Sequence, residues 1–156
     1  MDTAELSRQL VRAVRGRRTQ SAFSRRIGCQ SNVLYTWEAG RRFPTARRFF
    51  EVAARAGVDV GQALRGFLRT QPAWLDTERL VGGDGVVRFL AELQGERSTV
   101  AVARATGKSR FAVARWLAGQ TEPRLPDFLS LVHATSYRLL DFVAALVDPV
   151  ACSTGA

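Results

Sequence analysis

A chain of 156 residues with a formal charge of +9, 46% apolar and 24% charged residues, has room for one medium domain or two small ones and the composition of a soluble globular protein. It contains no apolar run near the ~20 residues of a membrane span. Asp2 and Glu5 interrupt any leader, and Cys29 and Cys152 form neither a metal-ligand spacing nor a disulfide framework. A cytoplasmic protein with no cofactor, no metal and no membrane association is therefore expected.

The charge is uneven. Residues 1–78 carry 14 arginines against seven acids, whereas residues 79–156 carry nine basic groups against seven acids, with Lys108 the only lysine. This points to a polyanionic partner, although an arginine bias is also what GC-rich coding produces.

In chain order, Leu6, Leu10, Val11 and Val14 form a helical stripe that ends at the Gly16-Arg17-Arg18 turn. Thr19 is placed to cap a short helix from Gln20 to Ile27, and Gly28 to end it in a left-handed cap. A third helix is expected from Ser31 to Ala39, a fourth after Thr45 and a fifth after Asp59. The stretch from Thr70 to Asp84 reads as a hinge because of Pro72 and Gly82-Gly83-Asp84-Gly85, yet Trp74, Leu75, Leu80 and Val81 are too apolar for a free linker. The plan then repeats: a helix from Val86 to Gly95, one capped by Ser98 and ending at Gly107, and one capped by Ser109 and running to Ala118. A fourth follows with Pro126 in its first turn, and a fifth from Tyr137 to Val147.

The repetition is in register at 79 positions. Gly28 returns as Gly107, Trp37 as Trp116, Gly40 as Gly119, Pro44 as Pro123 and Phe49 as Phe128; Gly16, Arg18, Ala22, Arg25 and Ala39 recur as well. Residues of these types set turns and cores, so the chain reads as two copies of one small helical fold. The expected organisation is all-α: a unit over 1–69, a partly packed linker over 70–84, a second and degenerate unit over 85–149, and a frayed tail over 150–156.

Within each copy, the second and third helices joined at a glycine have the makings of a helix-turn-helix. Ala22, Phe23 and Ile27 face Val33, Leu34 and Trp37, leaving the other side of the third helix free to enter a DNA major groove. The run Thr19-Gln20-Ser21-Ala22-Phe23 through Gly28, followed by Trp37-Glu38-Ala39-Gly40-Arg41-Arg42-Phe43-Pro44, resembles the phage-repressor/Cro (Xre-type) helix-turn-helix family. The resemblance covers about residues 5–68 and, more loosely, 85–147. There Thr99 replaces Gln20, Leu117 replaces Glu38 and Gln120-Thr121 replace Arg41-Arg42.

The resemblance implies two tandem five-helix lambda-repressor-like units that act on double-stranded DNA in transcription, the second reading a different half-site or assisting, so that one chain could bind a split site. It assigns Gln20 to the DNA backbone and Gln30, Ser31, Asn32, Tyr35 and Thr36 to the recognition surface. Asn and Gln suit adenine, and Ser and Thr suit several base edges. Arg41 and Arg42 are placed for phosphates, with Arg17, Arg18, Arg25 and Arg26 as secondary candidates. In the second copy the matching surface is Lys108, Ser109, Arg110, Phe111, Ala114 and Arg115.

Plainer roles compete. Trp37 and Trp116 are core residues on any reading, Glu38 is suited to satisfy an arginine of the first helix, and Arg47, Arg48 and Arg55 read as a solvated face. Tyr35 suits base contact or plain surface, while His133 and Cys29 read as structural. One histidine without a nucleophile signature, and carboxylates without motif spacing, exclude an enzyme. The alternative to DNA reading by both copies is that the second is a protein-interaction module, antitoxin-like or dimeric. The unusually apolar last helix, where Leu140 and Phe142 replace Gly61 and Ala63, suits a homodimer contact, burial against the first unit, or simple filling of a smaller core.

Overall fold

In the computed structural model, the described residues are 2–135 and 137–147. They form eleven helices and no strand. In order these are α1 (Thr3–Arg15), α2 (Gln20–Ile27), α3 (Ser31–Glu38), α4 (Ala46–Arg55), α5 (Val60–Phe67), α6 (Thr77–Gly82), α7 (Gly85–Gln94), α8 (Thr99–Thr106), α9 (Arg110–Leu117), α10 (Leu125–His133) and α11 (Leu139–Val147). The chain is all-α. The tail expected over 150–156 lies outside the described residues.

The local chemistry that starts these helices is the chemistry expected. Thr19, Thr45, Asp59, Ser98 and Ser109 each accept a hydrogen bond at 3.1 Å from the backbone N–H three residues on. Gly28 and Gly107 both adopt the left-handed conformation, at φ 71° in each case, and turn the chain from α2 into α3 and from α8 into α9. One helix is unexpected. Asp76 accepts from Arg79 N at 2.8 Å and starts α6 inside the stretch that reads as a hinge, with Leu75 and Leu80 fully buried. Six residues are too few to show a helical period, and Gly82-Gly83 masks the element as a turn. The last helix begins at Leu139 rather than Tyr137.

Two self-pairings join counterpart segments of the two copies in the reciprocal way that a local two-fold axis would. Leu125 N donates to Pro44 O at 2.9 Å, and Ala46 N donates to Pro123 O at 3.0 Å, closing an isolated antiparallel bridge between Thr45 and Arg124. Each of these residues bonds across to the counterpart segment 79 positions away. Such reciprocity is what an isologous contact requires. The second self-pairing is α5 against α11, which are also counterparts.

The remaining cross-contacts obey the same relation. α1 reaches over to α10, with Thr3 Oγ1 3.3 Å from Ser130 Oγ, while α6 lies on α4 and α5. The single long helix α1 is thus matched by α6 and α7, broken at Gly83-Asp84. Gly61 permits the close seat of α6: a Cβ there would lie 2.5 Å from Thr77 N. Among the described residues no such segment covers its counterpart, Leu140, which is 58% exposed.

One hydrophobic core runs through both copies. Phe50 meets Phe128 edge-on at 5.5 Å, Phe128 stacks on Phe89 at 5.8 Å, and Phe67 meets Phe142 edge-on at 5.5 Å. Phe50 and Phe67 belong to the first copy, and Phe89, Phe128 and Phe142 to the second. All but the half-buried Phe67 are fully buried. Aromatic pairs at these separations add about 0.5–1.5 kcal/mol each beyond area burial.

Phe128→Ala is expected to destabilise the whole chain by about 3–5 kcal/mol. In urea, amide resonances of α2 and α8 should disappear in one shared transition. Unfolding of α8 while α2 persists would contradict a common core.

Candidate nucleic-acid interface

The third helix of each copy is held from behind by its second helix and by its first. In the first copy the holding is ionic. Glu38, 3% exposed, receives Arg15 in a two-pronged contact, Nε to Oε2 at 2.9 Å and Nη2 to Oε1 at 2.8 Å. Arg8 Nε donates to Glu38 O at 2.8 Å. The expectation that Glu38 serves an arginine of the first helix is met. In the second copy the counterparts of Arg15 and Glu38 are Gln94 and Leu117, and the same place is lined by Leu90, Leu93, Val102 and Leu131. An ion pair in one copy is replaced by apolar packing in the other.

On the exposed side of α3 stand Asn32 and Tyr35, the latter 49% exposed, with Gln30 exposed at the N-cap. Arg41 and Arg42 follow the helix, both exposed, and the Arg41 guanidinium lies over the Tyr35 ring at 5.7 Å. Gln20 is half-buried at the start of α2. Thr36 is half-buried too, and its hydroxyl turns back to donate to Val33 O at 2.6 Å. The Ser31 side chain lies outside the described set. Arg17 is exposed, and Arg18 sits over Phe23 at 6.0 Å.

On α9, Arg110 lies over Phe111 at 5.0 Å, and Phe111 is 64% exposed; Arg115 is exposed one turn on. Ser109 is engaged as the N-cap. Lys108 is compromised as a phosphate contact, because its ammonium lies 3.0 Å from Asp127 Oδ1.

The arginines divide by location. Away from α2, α3, α8, α9 and their flanks they are mostly bonded into the fold. Arg48 Nη2 and Arg55 Nη1 both donate to Ile27 O, and both also pair with Glu51. Arg47 donates to Glu122 at 2.6 Å and to Val81 O at 3.1 Å. The hydrogen bond and attraction of Glu122 raise the already high pKa of Arg47. These three arginines are bonded to their neighbours while the Arg47 and Arg55 side chains stay 41% and 48% exposed, so the solvated face expected for α4 is there but paired.

Among the described residues, Arg17, Arg25, Arg42, Arg104 and Arg115 have no protein partner, and Arg41 and Arg110 have only the ring beneath them. All seven lie on or beside α2, α3, α8 and α9; away from these elements Arg138 has no partner and Arg88 on α7 has only the Trp74 ring beneath it, at 4.2 Å. No acid stands on the exposed faces of those four helices, since Glu38 is their only carboxylate.

An open groove of about 770 Å³ is lined by Asn32, Val33, Thr36, Trp37, Arg41, Arg42 and Phe43 and by Arg124 from the second copy. Arg124 is a residue that sequence reasoning missed. It donates to Phe43 O at 3.1 Å and stands at the bridge to Thr45. Its counterpart is Thr45, a helix cap, and only the reciprocal bridge brings it to the first copy's surface.

The described residues contain no group of three or more potential metal ligands and no helix long and apolar enough to cross a membrane. The chain matches no family model, no curated protein and no solved structure.

The two copies supply a natural swap to test the clamp. Glu38→Leu alone strands Arg15 and is expected to lower stability by roughly 3 kcal/mol. Adding Arg15→Gln, which recreates the second copy's pairing, should recover most of that loss in thermal unfolding. A double variant no more stable than the single one would show that the Arg15–Glu38 contact is not what couples these positions.

Proposed function

We propose that this chain is a sequence-specific double-stranded DNA-binding transcriptional regulator, built from two helix-turn-helix units of the phage-repressor type, with α3 as the main reading helix. The observation that carries the reading is the concentration of unpaired guanidinium groups on α2, α3, α8, α9 and their flanks, with Arg88 and Arg138 the exceptions among the described residues. Side chains already bonded within the fold contribute little to counter-ion release, whereas unpaired ones are available to phosphates. The absence of surface carboxylates on the same four helices removes the repulsion that a phosphate backbone would otherwise meet.

On this reading Asn32 and Gln30 reach base edges, with adenine the preferred partner of an amide side chain. Arg41 and Arg42 hold phosphates, and stacking on Tyr35 limits the freedom that Arg41 loses on binding. Gln20 and Arg17 grip the backbone on the other flank. Regulation follows from occupancy: a protein seated in the groove blocks or recruits the transcription machinery.

A second reading has its own observation. Phe111, largely exposed on α9, together with a neutralised Lys108, fits a surface for a protein partner, antitoxin-like, in place of DNA. The apolar last helix offers less to a homodimer. Leu139, Phe142, Ala145 and Leu146 are buried, and α11 is packed on α5, leaving Leu140 and Val147 outside.

Asn32→Ala is expected to relax preference at one position of the bound sequence by about 1–3 kcal/mol. Arg41→Ala should weaken all sequences alike and reduce the slope of log affinity against log salt by about one. Titrations of selected and random duplexes at several salt concentrations separate the two effects. Unchanged binding by both variants would contradict the assignment of α3.

A further inference from the structure

We infer that a single copy of this chain reads an asymmetric, two-part DNA site with a fixed spacing between its unlike halves. The inference rests on the DNA-binding reading above and specifies the substrate of that surface. A two-fold axis preserves height along itself, so a two-fold relation at the Thr45–Arg124 bridge that extends to the third helices would set α3 and α9 at the same level on either side of it. The groove beneath α3 runs from Asn32 to Arg124 at the axis, so the recognition face of the first copy is continuous with the axial surface. The same relation would carry the α9 face to the same side. One chain would therefore present two reading helices about one axis, an arrangement usually assembled from two subunits.

The axis is a property of the backbone and not of the side chains that meet DNA. Asn32 in one copy stands where Phe111 stands in the other, and Thr36 where Arg115 stands. Gln30 and Asn32 favour adenine; Arg110 and Arg115 favour the O6 and N7 acceptors of guanine, and Phe111 the thymine methyl. A palindrome would satisfy one copy and mismatch the other. The axial surface is unlike as well, with Arg124 opposite Thr45 and Arg47 tied to Glu122.

The spacing is fixed because nothing flexible separates the copies. The two backbone hydrogen bonds at the axis, the α5–α11 contact and the shared phenylalanine core all join them. Tying two modules rigidly raises affinity by about 10²–10⁴ when both can engage, and confers nothing when they cannot.

The test is selection of bound duplexes from a random pool by the full chain at physiological salt, with light scattering of the complex. The expected result is a non-palindromic motif in two blocks, bound by one chain. Inserting five base pairs between the blocks turns one through about half a helical turn and should lower affinity at least about 100-fold. Asn32→Ala should relax one block only, and Arg110→Ala the other; both side chains are exposed, so the fold is not at stake. A single enriched block indifferent to Arg110→Ala, or a palindrome bound by two chains, would overturn the inference while leaving DNA binding intact. A pool with no enrichment would overturn the DNA-binding reading itself, and the two-part site with it.

Discussion

The phenylalanine core that both copies share is the constraint on which the rest of the structure depends. Neither copy encloses these rings by itself. Phe50 needs Phe128 from the other copy, and Phe67 needs Phe89 and Phe142. Burial of such rings is the largest apolar contribution available to a chain of this size. Once α4, α5, α10 and α11 are drawn together, the segments Pro44-Thr45-Ala46 and Pro123-Arg124-Leu125 meet at the axis with their backbone groups aligned to exchange hydrogen bonds. α3 and α9 hang from this frame, each shortly before one of those segments. Their mutual placement is thus a consequence of core packing.

A shared scaffold beneath unlike surfaces accounts for the distribution of charge. The scaffold positions, Gly28 and Gly107 or Trp37 and Trp116, retain their identity because each copy needs the same turn and the same packing behind its third helix. The clamp behind that helix tolerates two chemistries, Arg15 with Glu38 or Gln94 with Leu117. Either fills the space without leaving a lone buried charge. The exposed positions face no such demand and have diverged freely. The first copy keeps polar amides and an arginine pair, and the second keeps arginines around an exposed phenylalanine. Arginines elsewhere are mostly consumed within the fold, as Arg48 and Arg55 are at the C-terminal carbonyl of α2.

Much of the fold was legible in the residues because its signals are local. Caps at Thr19, Thr45, Asp59, Ser98 and Ser109 and left-handed glycines at 28 and 107 act within a few residues of themselves. α6 escaped because six residues ending in Gly82 show no period. The axis escaped for another reason: a repeat states that two segments are alike, but not which of their faces meet. Arg124 illustrates the consequence for the site. Nothing adjacent to it marks it as part of the first copy's groove, and only the bridge places it there. Lys108 shows the converse. Its position on the surface was legible, and its neutralisation by Asp127, 19 residues away on another helix, was not.

The account stands on the two copies forming one body about the Thr45–Arg124 bridge. Native-state hydrogen exchange of the Ala46 and Leu125 amides measures this most directly, because each donates across the axis. The account predicts that both exchange only through global unfolding, with the same free energy as the amides of the most protected core helices. Exchange of both through a low-energy opening, while the helices on either side stay protected, would show two bodies that merely touch, and would contradict it.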